Sequence, residues 1–288
     1  MTAPAATLSI GGFSFHEYRD NPATTALAAQ YRPFIANTAP SVTCHVHTKP
    51  RPSNDTRDWR LVFDASPNWT LHQKHNHLLF QTMFLEALCS HDLNHCDLFP
   101  LPDTPENLIS FFSYPLAELI TISLLARQEG ILLHSCGIEV EGRALVFCGP
   151  SGIGKSTMAG IWQRHGYRIL SDDRVIIRQI NNQLVACGTP WHGSAELGSP
   201  TTLPLANIYL LGRGSANLLA PINGAHAISL LLQHSFLPFW DKEAMENCLA
   251  FFEHTLQYIP CSTLEFLPDE QVIPFLLAAG PRAAGHNF

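Results

Sequence analysis

The run Gly149-Pro150-Ser151-Gly152-Ile153-Gly154-Lys155-Ser156-Thr157 satisfies the spacing G-x-x-x-x-G-K-[ST]. Its glycines let the backbone turn tightly and bring N–H groups close to an anion, and the positive end of a following helix adds to the attraction. In such a loop Lys155 reaches the β- and γ-phosphates of a nucleoside triphosphate, and the Ser156 hydroxyl completes a Mg²⁺ shell. The surroundings suit this chemistry: the apolar run 144–148 reads as a strand before the loop, and 155–165 reads as a helix after it. Lys155 and Lys242 are the only lysines beyond position 110. Lys155 is therefore not one of many interchangeable surface charges.

A nucleotide site also needs carboxylates, for the metal and, where a phosphoryl group moves to a hydroxyl, for the proton. Leu170-Ser171-Asp172-Asp173-Arg174 supplies two of them just after an apolar run. Neighbouring side chains on an extended segment point to opposite sides, so one carboxylate can serve the metal and the other the transferred group. His134 ends an apolar run upstream of the loop, and His192 lies in a Gly/Pro/Trp segment that suits contact with an acceptor. Arg174 and Arg213 are further sources of positive charge for the substrate.

The elements that must position these residues fall into three stretches. Residues 1–112 carry short alternating runs around 8–15, 42–46, 60–63 and 78–80, separated by Pro, Asn and Asp, and read as a small β-rich accessory or substrate region. The stretch 48–57 reads as a solvated loop. Residues 113–280 open with a helical pattern from Pro115 to Gln128 and then interleave strand runs (131–134, 138–140, 144–148, 168–171, 175–178, 184–187, 207–211) with helical ones (155–165, 225–233, 242–257, 269–278). This predicts an α/β (α+β) nucleotide-binding catalytic domain, with 281–288 as a frayed tail.

Composition narrows the function classes. Only 14% of the 288 residues are charged, against a usual value of about 25%, and the net charge is −7. Such a chain lacks the positive field that holds nucleic acid or an anionic membrane surface. No apolar run reaches the ~18 residues needed to cross a bilayer, and the first ten residues lack the pattern of a secretory signal. The eight cysteines are scattered singly through apolar runs, as buried thiols are in a reducing compartment. A cytoplasmic protein is expected, and its low surface charge favours a homo-oligomer.

His134-Ser135-Cys136-Gly137-Ile138, the glycine-rich loop, Leu170-Ser171-Asp172-Asp173-Arg174-Val175, and Gly188-Thr189-Pro190-Trp191-His192-Gly193 followed by 204–211 occur in that order. Together they resemble the C-terminal catalytic domain of HPr kinase/phosphorylase, and more closely the HPr-type serine-kinase-like P-loop proteins. The resemblance implies a P-loop core related to that of ATP-dependent PEP carboxykinase. It implies ATP, or another nucleoside triphosphate, with Mg²⁺ as cofactors. It also implies Asp172 as general base, Asp173 and Ser156 as metal ligands, and His134 beside the phosphates. Two departures, Thr157 where the family commonly has an acidic residue and the absence of the family's C-terminal glycine-rich signature, weigh against HPr itself as acceptor and against reversal by phosphorolysis. The expected activity is phosphoryl transfer to a hydroxyl of a small metabolite or a peptide side chain. The rival expectation is a nucleotide-binding regulatory or adaptor protein without transfer.

The amino-terminal region holds eight of the fifteen histidines, among them His45-Val46-His47, His72, His75, His77, and His91 with His95. Alternation on a strand, or i,i+4 spacing on a helix, are both arrangements that bind Zn²⁺. Partly exposed histidines on a low-charge surface are the alternative.

Overall fold

A computed structural model describes residues 4–21, 27–53 and 55–280; the tail 281–288 lies outside them. The chain forms two compact units, Met1–Leu124 and Leu125–Phe288. It is a mixed α/β protein, rich in sheet and with few helices.

The first unit is built on one sheet of eight strands: β1 (Ala6–Ile10), β2 (Phe13–Arg19), β3 (Val42–Val46), β4 (Arg60–Ala65), β5 (Trp69–Lys74), β6 (His77–Thr82), β7 (Leu85–Ser90) and β8 (His95–Pro100). Their order is β1-β2-β3-β8-β7-β6-β5-β4. The pairs β2–β3 and β3–β8 are parallel and the others antiparallel. The run 8–15, read from sequence as one strand, is a hairpin that turns at Gly11 and Gly12, both at positive φ. Along β3, Val42, Cys44 and Val46 are buried while Thr43 and His45 face outward, the period of two expected of a half-buried strand. Glu17 is fully buried, and its carboxylate accepts from Arg19 Nε at 2.8 Å, Ser110 Oγ at 2.8 Å and the Phe111 N–H at 2.7 Å. Such a buried charge is tolerated because it is paired and fully hydrogen-bonded.

The unit boundary falls inside α1 (Leu116–Arg127). The second unit then contains β9 (Gly130–Val140), β10 (Arg143–Cys148), α2 (Lys155–Arg164), β11 (Ile169–Ser171), β12 (Arg174–Ile180), β13 (Gln183–Cys187), β14 (Thr202–Arg213), β15 (Leu218–Pro221), α3 (Gly224–Gln233), β16 (Ser235–Phe236), α4 (Lys242–Tyr258), β17 (Cys261–Phe266) and α5 (Val272–Ala279). The sheet path β10-β9-β12-β13-β14-β17-β15 closes back through a parallel β10–β14 pairing, and β14–β17 is also parallel.

Both faces of β10 are buried. Ala144, Val146 and Cys148 join a core with Leu170, Leu231 and Phe252, whereas Leu145 and Phe147 join a second core with Trp162, Leu264 and Val272. A strand covered on both sides reads as a continuous apolar run, which is the pattern of 144–148 in the sequence. The cysteines are free thiols, all buried except the half-buried Cys261. No helix among the described residues is long and apolar enough to cross a membrane.

Candidate active site

Strand pairing alone assembles the site. β9 changes partner at its middle: residues 130–134 pair with β12 and 135–140 with β10. His134 therefore lies opposite Arg174, and Ser135 opposite Cys148. The Ser135 N–H donates to the Asp173 carbonyl at 2.9 Å. The glycine-rich loop begins immediately after Cys148, and Asp173 immediately precedes Arg174. His134, Asp173 and the loop are thus delivered to one place by the middle of β9, the start of β12 and the end of β10.

The loop is shaped by backbone conformations that side chains resist. Gly152 has φ 76°, and Gly154, the N-cap of α2, has φ 118°. A Cβ on Gly154 would lie 2.9 Å from Phe266 Cζ, so both the left-handed backbone and the ring require glycine there. α2 then starts at Lys155, whose Nζ donates to the Gly149 and Pro150 carbonyls at 2.8 and 3.1 Å. Ile153 N–H donates to the Pro150 carbonyl, while Ser151 and Thr157 are exposed.

His134, Gly152, Lys155, Ser156, Asp173 and Ser194 line a cleft of about 360 Å³. His134 Nε2 lies 3.2 Å from Asp173 Oδ1. Burial alone would raise the Asp173 carboxyl. The His134 hydrogen bond, with the charges of Arg174, His134 and Lys155, outweighs it and holds that carboxyl below the ordinary carboxylate value. Burial pushes the Lys155 ammonium down, and Asp173 opposes the shift. The cleft thus combines an ammonium group, loop N–H groups and one ionised carboxylate, a donor set suited to phosphate oxygens with a hard cation.

Asp172, the expected general base, is not among the residues that line the cleft. It is fully buried behind the cleft wall. Its Oδ1 accepts the N–H of Gly193 at 2.9 Å and of Leu197 at 3.3 Å, and its Oδ2 accepts that of Ala195 at 2.9 Å. A Cβ on Gly193 would lie 2.9 Å from Asp172 Oδ2, so glycine lets the loop close onto this carboxylate. The cause is the segment 197–199, which bonds Asp172 N–H and the Leu170 carbonyl as an added strand-like edge and carries 193–197 over the side chain.

The remaining sequence candidates divide. Arg174 Nε is 3.6 Å from Asp173 Oδ2, and its guanidinium lies 4.9 Å from the centre of the Phe236 ring. Arg213 donates to the Gly152 carbonyl at 3.3 Å, which puts it on the outer side of the loop. His192 is half-buried, with Nδ1 3.1 Å from the Gly193 carbonyl, and is not among the residues that line the cleft.

Sequence reading missed His234. It caps α3, its carbonyl accepts the His134 N–H at 2.8 Å, and burial followed by the Lys155 and His134 charges holds its imidazole below the ordinary value of 6.5. Nothing in the local sequence marks it, because α3 and β16 reach β9 only through the fold.

No family model matches the chain. It is 26% identical over 140 residues to the HPr kinase/phosphorylase of Lactobacillus delbrueckii subsp. bulgaricus, covering 49% of this chain and 40% of that protein. It is 25% identical over 189 residues to the putative HPr kinase/phosphorylase 2 of Oceanobacillus iheyensis, covering 64% and 58%. The matches thus span between two fifths and three fifths of these relatives. The HPr(Ser) kinase/phosphatase of Coxiella burnetii is a solved structural neighbour at 13% identity and TM-score 0.31, covering 51% of this chain and 94% of its own. With its glycine-rich loop, acidic pair and cleft histidine in place, the chain is similar to HPr kinase/phosphorylases over part of their length.

Proposed function

We propose that the second unit binds a Mg²⁺–nucleoside triphosphate, ATP by preference, and transfers its terminal phosphoryl group to a hydroxyl, on a core of the PEP-carboxykinase type. The observation that carries this reading is the convergence of Lys155, Ser156, Asp173 and His134 on one cleft at the start of α2. The residues fit the cofactor: two left-handed glycines leave the loop open to phosphate, and Ser156 with Asp173 offers the oxygen donors that Mg²⁺ takes. When bound, the nucleotide supplies the transferable group and the metal neutralises its charge.

The chain's own residues do the rest. Lys155 Nζ exchanges its two carbonyl partners for phosphate oxygens, which as anions attract the ammonium more strongly than neutral carbonyls do. His134 keeps Asp173 turned into the cleft. Asp172 receives the acceptor proton at Oδ1, the acceptor hydroxyl replacing the Gly193 N–H there as one donor for another. The segment 193–197 is then the acceptor-side gate. Chemistry of this type is mostly positioning and electrostatics, so these few groups suffice. The relatives are named for HPr, but Thr157 and the missing glycine-rich signature weigh against HPr itself, so small alcohols and peptide side-chain hydroxyls are the first acceptors to test, with an HPr-type protein beside them.

The three N–H bonds on Asp172 favour a second reading, in which the nucleotide is bound without transfer and 193–197 never opens. One experiment separates the two. MgATP affinity is measured by calorimetry, and transfer by mass spectrometry of acceptors incubated with labelled ATP. Under the kinase reading Lys155→Ala loses about 100-fold or more in affinity, while Asp172→Asn keeps affinity within several-fold and loses about 10²–10⁴ in transfer rate. Wild-type binding without transfer to any hydroxyl acceptor selects the second reading. Failure to bind MgATP overturns both.

A further inference from the structure

The parallel pairing of β2, β3 and β8 builds a second histidine–carboxylate cluster, in the first unit. Tyr18 lies opposite His45, and His45 opposite Asp97, so the end of β2 and the outward faces of β3 and β8 share one surface. Asp20, just past β2, has Oδ1 2.8 Å from His45 Nε2 and Oδ2 3.5 Å from His47 Nδ1. The ligand atoms of Asp20, His45 and His47 all lie within 4.8 Å of one another. Bonds of about 2.1 Å at tetrahedral angles place neighbouring ligand atoms about 3.4 Å apart. The cluster therefore needs adjustments of an ångström or so, on side chains that are half-buried or exposed.

His47 and Asp20 are each already oriented by a further partner. His47 Nε2 lies 2.8 Å from Asp97 Oδ1, which fixes the proton on that nitrogen and leaves Nδ1 as the lone pair facing Asp20. Asp97 Oδ2 in turn lies 3.2 Å from His95 Nε2. The His47 ring is held between Phe99, stacked at 4.5 Å and 8°, and His45, at 4.7 Å and 26°. The Thr48 N–H donates to Asp20 Oδ2 at 3.2 Å. A carboxylate–histidine relay behind a ligating imidazole is the usual outer arrangement of a metal site and costs a simple surface ion pair entropy it does not need.

We propose that Asp20, His45 and His47 bind a borderline divalent cation, Zn²⁺ in the first instance, with Asp97 and His95 as the outer support of His47. Two imidazoles and one carboxylate suit such an ion and not Mg²⁺ or Ca²⁺, which take oxygen ligands. Asp20 and Asp97 place two carboxylates on this surface, so a dication is favoured there. Three protein ligands leave a coordination position open to water or a partner's donor group. The inference is independent of the nucleotide reading.

The test uses the full chain without nucleotide, with Co²⁺ as a spectroscopic substitute and Zn²⁺ measured by competition with a chromophoric chelator. One equivalent of Co²⁺ is expected to give ligand-field bands of a four- or five-coordinate ion. Asp20→Asn and His47→Ala are each expected to abolish the bands and weaken Zn²⁺ binding about 100-fold or more, and Asp97→Asn to weaken it about 10–100-fold. His134→Ala and His77→Ala are expected to leave the bands intact. Far-UV circular dichroism and melting in chelator establish that each variant is folded. A wild-type chain that takes up no Co²⁺ overturns the proposal, as do bands that survive in Asp20→Asn and His47→Ala or that vanish in His134→Ala.

Discussion

The two units each hold a histidine against an aspartate at hydrogen-bond distance, yet the pairs lie in opposite electrostatic surroundings. In the second unit His134 and Asp173 sit half-buried beside the Lys155 ammonium and the amides of a glycine-rich loop. In the first, His45, His47, Asp20 and Asp97 share an outward sheet face, and the groups that act on the Asp20 carboxyl are His45, the Thr48 N–H and His47. Both aspartates are held below the ordinary carboxylate value, but Asp173 by histidine together with Arg174 and Lys155, and Asp20 without any such cation. The same residue pair thus suits an anion with its metal where cations and N–H groups surround it, and is proposed to take a bare cation where carboxylates and imidazoles predominate. What decides is the second layer of neighbours, and those are set by strand pairing.

The strongest way to break this comparison is to exchange its consequences. Asp173→Asn keeps the shape of the cleft but removes the charge proposed to serve the metal, and under the proposed activity is expected to lower phosphoryl transfer about 10³-fold while leaving Co²⁺ uptake by the first unit unchanged. Asp20→Asn is expected to do the reverse. Steady-state transfer rates and Co²⁺ titrations on the two variants check this. Either variant affecting both readouts equally would show that the two clusters are not independent.

The next effect separates the members of the acidic pair. Asp172 is fully buried under three N–H donors, and an Asn side chain there must turn its own NH₂ toward one of them. Asp172→Asn is therefore expected to cost about 1–3 kcal/mol of stability, whereas Asp173→Asn, at the half-exposed position, costs less. Thermal melting shows the difference as a fall of a few degrees for Asp172→Asn alone. Equal melting temperatures would mean that Asp172 does not hold the 193–197 segment.

These residues also show how far the sequence could be read. The loop, the strand before it and α2 were legible because a local pattern specifies them: the expected helix 155–165 is observed as Lys155–Arg164. The burial of Asp172 behind three N–H donors was not, because it depends on where 193–197 returns in space. β9 was read as two short strands. It is one of eleven residues that changes partner midway, and since nearly all of it is buried it shows no alternation to mark its continuity. The helical spacing of His91 and His95 proved to be a turn leading into β8, with His95 opening the strand. His45 and His47 were visible as an alternating pair, but Asp20 reaches them only through parallel pairing of β2 with β3, a contact no local pattern encodes.

A smaller effect tests the shape of the loop. Gly154→Ala places a Cβ in a left-handed backbone and against Phe266, and is expected to cost about 1–2 kcal/mol. Gly142 also has positive φ, but nothing lies within 4 Å of a Cβ there, so Gly142→Ala carries the backbone part alone. Urea unfolding of both variants isolates the contribution of the ring, and an equal loss would show that Phe266 yields freely.

The smallest effect concerns the positive potential of the cleft. His234 is held below 6.5 first by burial and then by the Lys155 and His134 charges, so the folded chain resists its protonation more than the unfolded chain does. Its contribution is therefore complete above pH 6.5 and is lost as the pH falls through the folded value, where the unfolded state gains the extra proton. His234→Gln removes this proton linkage. Between pH 7.5 and 5.5 the variant is expected to lose less stability than the wild type by a small margin, read as the difference in urea midpoints. If Lys155 is part of the cause, Lys155→Met narrows that margin, because the imidazole then charges with one less cation beside it. A margin that Lys155→Met leaves unchanged would assign the shift to burial alone. The ammonium would then no longer distinguish the surroundings of His234 from those of the open sheet face.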